Sequence, residues 1–160
     1  MTRSTTRRQF IQASTAAFTI AVACGSGVAF SQEKPAWKAG VARAVLTPEK
    51  SVWLAGYGSK RAPDGKLHDL WMKALALEDN AGHRAVLITS DFQGVPRIMS
   101  DRVFAQLKTQ FKLERTQVMF TFSHNHCGPR LGDDLIDYYP VEAEQEALVR
   151  EYTAAMVTKA

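Results

Sequence analysis

The 160-residue chain holds two cysteines, Cys24 and Cys127. Two are too few for a disulfide scaffold, and a chain cleaved beyond Cys24 keeps Cys127 alone and forms no intrachain disulfide. No run of Lys or Arg and no basic stripe interleaved with aromatics occurs beyond the N-terminus, so nucleic-acid binding loses its main support. No apolar stretch reaches the roughly 20 residues that a bilayer-spanning helix needs. Internal repeats and low-complexity segments are absent, which argues against a solenoid or a disordered tract. What is present is a 46% hydrophobic composition, enough for one core of ordinary size. The formal charge of +4 is unevenly placed. Arg3, Arg7 and Arg8 stand among the first 31 residues with no acid, and the remainder carries 17 bases against 16 acids.

The N-terminus reads as an address. Ser4-Thr5-Thr6-Arg7-Arg8-Gln9-Phe10-Ile11 resembles a twin-arginine export motif, followed by a short apolar stretch from Ala16 to Ala23 and the small residues Gly25 and Gly27. Ala29-Phe30-Ser31 before Gln32 fits a cleavage site, giving a signal peptide over 1–31. Ala21-Val22-Ala23-Cys24 is an alternative, weak lipidation motif that would anchor the protein at Cys24. A third reading is a buried apolar N-terminal helix. Under either export reading the mature protein is periplasmic or secreted. The twin-arginine resemblance further implies export in a folded state, often with a metal or cofactor in place.

Residues 32–38 read as a linker, and 39–160 as a catalytic portion. Gly40 to Thr47 suits a strand, and 48–66 a long Gly-, Ser- and Pro-containing loop of functional type. Trp71 to Glu78 and Ala85 to Thr89 flank the turn sequence Asp79-Asn80-Ala81-Gly82 and predict an antiparallel hairpin. Met99, Val103, Leu107 and Phe111 recur every four residues, predicting a helix over 96–111. Val118 to Phe122 is a further apolar run, so the strands at 85–89 and 118–122 form a βαβ unit and lie parallel. Both are continuous apolar runs, which predicts burial on two faces. Leu148, Tyr152 and Met156 predict a second helix, with acids near its start that suit the helix dipole. No stop signal precedes Ala160, which is read as a chain cut inside a larger protein. The fold class is therefore α/β: a mixed sheet with a hairpin and a βαβ unit, an incomplete domain, and a metal site at the C-terminal strand edge.

The segment that carries chemistry is Ser123-His124-Asn125-His126-Cys127-Gly128-Pro129, directly after the last strand. Ligands bind at the C-terminal edge of parallel strands. Asp91, closing the parallel partner strand, is expected beside His124 and His126. Two His at i and i+2 of an extended chain share a side, and neutral imidazoles with a nearby carboxylate suit Zn²⁺, leaving room for a metal-bound water. The alternative is a polar loop whose His residues bond to backbone. Asp91 serves equally as a loop or capping residue. Cys127 is read as a small buried thiol rather than a soft ligand, His68 and His83 as exposed, and Met72, Met99 and Met119 as packing. The metallo-β-lactamase pattern fails because Gly128 stands where it needs Asp. An amidohydrolase barrel carries His-x-His on its first strand, and an H-N-H nuclease needs a ββα-metal arrangement and a basic surface that are missing here.

Taken in order, Gly40–Pro48, Leu54-Ala55-Gly56-Tyr57-Gly58, Ala74–Asp79, Val86–Asp91 and Ser123–Pro129 resemble the N-terminal part of the neutral/alkaline, non-lysosomal ceramidases. That resemblance implies a zinc-dependent amidase that hydrolyses the N-acyl bond of ceramide-like sphingolipids to a sphingoid base and a fatty acid. By matching motif it implies His124 as a zinc ligand, His126 as a catalytic residue contacting substrate, Gly56 and Tyr57 as substrate-binding, and Asp91 as an outer partner of the metal site. The partner is a lipid amide, with membrane-surface contact through that substrate. Two positions depart from the family block, which usually has Thr and Ser where Asn125 and Cys127 stand. The remaining zinc ligands, a second His, a Glu and a Tyr, are expected beyond residue 160, so the chain alone is expected to be inactive. The other readings are an exported metal hydrolase of different specificity and a truncated, non-catalytic binding domain.

Overall fold

The structure is a computed structural model that describes residues 36–160. The signal peptide, Cys24 and the first part of the linker lie outside the described residues. Strands β1 (Trp37–Val45), β2 (Trp71–Asp79) and β3 (Arg84–Ser90) are followed by helix α1 (Arg97–Phe111), strand β4 (Val118–Phe122) and helix α2 (Ala143–Lys159). The sheet runs β1-β2-β3-β4, with the first three strands antiparallel and β3 parallel to β4. This is the expected mixed α/β arrangement. β1 begins at Trp37, so Trp37 and Lys38 belong to the sheet and not to a linker.

One face of the sheet forms the core. Met72, Ile88 and Val118 pack with Met99, Val103 and Leu107 of α1 and with Val149, Tyr152, Met156 and Val157 of α2. Each such large apolar side chain contributes roughly 1.5–3 kcal/mol on full burial. The expectation of two-sided burial does not hold. The opposite face carries a row running across all four strands, Val41–Leu75–Leu87–Met119, set by the strand registers. Val41 and Met119 on it are 70% and 62% exposed. Met119 is thus no packing residue, unlike Met72 and Met99. The period-2 geometry of a strand separates the two faces, and both helices serve the same one. Phe111 also falls outside the core, at 54% exposure, where α1 gives way to a left-handed Lys112.

The long loop before β2 is less loose than its composition suggests. Val52, Trp53 and Ala55 are buried, and Leu54 forms an isolated antiparallel bridge with Pro129. Ala55 N–H donates to the Gly128 carbonyl and Arg130 N–H to the Trp53 carbonyl. At the start of α2, Gln145 accepts from Trp53 N–H and donates to the Ser51 carbonyl. The Gly-Tyr-Gly loop and the His loop are thereby zipped together. No helix of the described residues is long and apolar enough to cross a membrane.

Candidate metal and substrate site

Parallel pairing brings the ends of β3 and β4 to one edge. Ser123 N–H donates to the Ser90 carbonyl and His124 N–H to the Phe92 carbonyl. Asp91 and the His loop meet there, as the topology predicts. The Asp91 carboxylate, however, accepts from Trp71 N–H at 2.8 Å and faces Ser123 Oγ at 3.5 Å. Its backbone carbonyl accepts from Asn125 Nδ2 at 2.8 Å. The carboxylate tethers β2 to this edge, and no bond joins it to either imidazole among the described residues.

The group that holds His124 is the Gln93 carbonyl, 2.7 Å from Nδ1. A carbonyl only accepts, so Nδ1 carries a proton, and in the neutral ring the lone pair is on Nε2. That tautomer leaves Nε2 available to a metal while Nδ1–H is held by an outer acceptor. Composition and spacing could not point to a backbone carbonyl, and Gln93 was missed for that reason. His124 has φ of 56°, in the left-handed region. The His-x-His segment is therefore not extended, and the expected same-side rule is not what aligns the two rings. Between the two His, Asn125 Oδ1 accepts from Cys127 N–H at 3.0 Å, closing a side-chain turn around His126. The His124 and His126 ring centroids lie 5.4 Å apart at 83°.

His126 is flanked by Tyr57, 5.4 Å between centroids at 76°. The Arg61 guanidinium sits 4.2 Å from the Tyr57 ring centroid. Gly56 has φ of +84°, and a Cβ there would overlap the Nδ1–Cε1 edge of His126. Only glycine permits that approach. Gly56 and Tyr57 are thus brought onto His126. Cys127 is exposed, contrary to the expectation of a buried thiol: it sits on the solvent-facing turn that its N–H closes onto Asn125 Oδ1. His68 and His83 are exposed and stand apart in loop and turn, bonded to Asp69 and Asp79.

Two side chains behind the loops went unnoticed in the sequence. Arg130 is 2% exposed, bonded to Glu146 at 2.6 Å, with its guanidinium 4.4 Å from the Tyr139 ring centroid. The buried Tyr139 hydroxyl accepts from Gly56 N–H, and burial raises its pKa above the ordinary phenol value. Asp134 nearby is also raised by burial, against the opposing pull of Arg130.

As a metal donor set the described residues are incomplete. His124 fits a ligand in tautomer and placement, but no group of three His, Cys, Asp or Glu able to hold a metal occurs among them. The residues present therefore do not by themselves constitute a zinc site.

The fold has counterparts among solved structures. The neutral ceramidase from Pseudomonas aeruginosa matches with 26% identity and a TM-score of 0.57, over 61% of this chain and 16% of that one. A ceramidase complexed with C2 matches with 26% identity and a TM-score of 0.58, over 76% of this chain and 19% of that one. The described unit is ceramidase-like. The ceramidase-like chain spans less than a fifth of the length of either structure. No family profile and no curated protein sequence matches it.

Proposed function

We propose that this sequence is the part of an exported, zinc-dependent amidase of ceramidase type that carries one metal donor and one wall of the substrate site. The observation behind the reading is His124, protonated at Nδ1 by its bond to Gln93, with Nε2 left for a metal beside His126 and Gly56. Likeness to the two ceramidase structures supports the substrate class, a ceramide-like lipid amide. Zinc, when bound, supplies polarisation of the amide carbonyl and a water of lowered pKa. The chain's own residues do the rest. Gln93 fixes the His124 tautomer, Asn125 holds the His loop closed, and Gly56 leaves His126 room against a substrate. Tyr57 offers an aromatic edge beside it. The twin-arginine motif supports delivery to the periplasm or exterior, with lipidation at Cys24 as the alternative to cleavage after Ser31.

The test is fatty-acid release from an N-acyl sphingoid substrate by the protein carrying this sequence in its full reading frame, with and without a zinc chelator. Chelation and His124→Ala should each abolish release, and activity retained under either would overturn the zinc role. Release from another ester or amide but not from the sphingoid substrate would favour a metal hydrolase of different specificity. The lack of a three-donor group among the described residues favours a second reading for the 160-residue polypeptide alone, a non-catalytic unit that binds lipid amide. Binding of an N-acyl sphingoid lipid without turnover by that polypeptide would support it.

A further inference from the structure

We propose that Tyr139 is a positioning residue for this site, holding the Gly56–Tyr57 loop against His126 through its hydroxyl. The inference rests on the reading of His126 as the imidazole that faces substrate. Three observations converge on Tyr139. It is 5% exposed within a loop that is otherwise largely open to solvent. Its ring face is backed by the guanidinium of Arg130, which is itself buried and anchored to Glu146 at the start of α2. Its hydroxyl accepts the N–H of Gly56, the residue whose Cα His126 closes upon.

The connection is one of geometry. Gly56 has no side chain to key the loop onto His126, so the separation of loop and imidazole is set by what holds the Gly56 backbone. On one side that is the Ala55 N–H bond to Gly128, within the His loop itself. On the other it is Tyr139, which ties the loop to α2 through Arg130. Burial raises the phenol pKa and so favours the neutral hydroxyl whose oxygen accepts the Gly56 N–H. The His loop and the Gly-Tyr-Gly loop then share a reference point outside both of them. A site that must hold its groups to within about half an ångström needs such outside support.

Tyr139→Phe deletes the acceptor and keeps the ring and its stacking on Arg130. In the isotopically labelled full chain, the Gly56 amide should exchange with solvent roughly tenfold faster in the variant, the factor expected for one lost hydrogen bond. The His126 ring resonances should move, while those of His83 in the distant hairpin stay fixed. Unchanged Gly56 exchange together with unchanged His126 resonances would overturn the proposal. Should the variant not fold, the unmodified chain still decides: its Gly56 amide must exchange more slowly than that of exposed Ser59, and equal rates overturn the proposal. Kinetics separate it from the functional reading. If the variant moves His126 but the parent releases no fatty acid from any N-acyl sphingoid lipid, the amidase reading fails and the positioning role stands. If the parent is active and the variant keeps kcat, KM and the His126 spectrum, the positioning role fails and the amidase reading stands.

Discussion

Two turns of this molecule are built from the same parts and end differently. In the hairpin between β2 and β3, Asp79 Oδ1 accepts from Ala81 N–H and His83 N–H, Gly82 has φ of +83°, and the His83 ring bonds back to Asp79 at 2.8 Å. In the His loop, Asn125 closes a similar side-chain turn, and the glycine of positive φ, Gly56 at +84°, arrives from another loop. The hairpin satisfies its own histidine, whose side chain is 83% exposed. The His loop passes one imidazole to a backbone carbonyl of the neighbouring strand end and packs the other on a second loop. A histidine in a polar turn is therefore not a site by composition. It becomes a candidate when partners remote in sequence fix its tautomer and its surroundings.

Substitutions at matched positions can break that contrast. Under the proposed amidase reading, His124→Ala should abolish fatty-acid release by the full protein and reduce its zinc affinity by more than the roughly 10–100-fold that loss of an orienting partner costs. His83→Ala should leave both unchanged. Equal effects in activity assays and zinc titrations would erase the distinction between the turns.

Gly56→Ala and Gly82→Ala form the next pair, since the two φ values nearly coincide. Both incur the left-handed strain of an L-residue, about 1 kcal/mol. Only Gly56→Ala also drives a Cβ into His126, whereas Gly82 faces open space. Chemical denaturation should show an excess loss of about 1–3 kcal/mol for Gly56→Ala, the range for overpacking. A Gly56 variant no less stable than the Gly82 variant would mean that the loops do not meet as described.

Asn125→Ala should cost about 1 kcal/mol through the lost turn and its bond to Asp91. Asn125→Thr, the residue of the resembling family, should recover part of that loss and of the His126 resonance positions. Full stability of Asn125→Ala in thermal melts would remove the turn from the argument.

The smallest effect lies at the hairpin. The His83 ring bond holds the Asp79 carboxyl below its ordinary value of 3.8. A depressed carboxyl pKa stabilises the fold above the unfolded value, and that contribution disappears as pH falls through the folded one. His83→Ala should let the Asp79 titration, followed by carboxyl carbon resonance, rise toward 3.8, and the small stabilisation this exposed pair supplies at neutral pH should be lost. An unmoved titration would remove the ring bond as its cause.

Much of the architecture was legible locally. The Asp79–Gly82 turn, the two apolar runs and the four-residue period of Met99, Val103 and Leu107 suffice for the hairpin, the helix and the parallel pairing. These features place Asp91 and His124 at one edge. Local pattern failed where two environments share a composition. Met119 and Val118 are both apolar, yet one faces solvent and the other the core. Cys127 reads as a buried thiol until the Asn125 turn is known. Arg130 and Tyr139 carry no local signal, because burial of a cation depends on an acid and an aromatic ring arriving from elsewhere.

The chain's local preferences alone set the order of strands and helices, the βαβ handover and the presence of two imidazoles just past a strand end. Hydrophobic period and turn chemistry act over a few residues, and nothing distant is needed to express them. Tertiary structure decided which imidazole nitrogen is free, which glycine leaves room for His126, and which face of the sheet the helices cover. Those outcomes depend on groups such as the Gln93 carbonyl, Gly56 and the Tyr139 hydroxyl, which carry no pattern of their own and acquire a role only through contact across the fold.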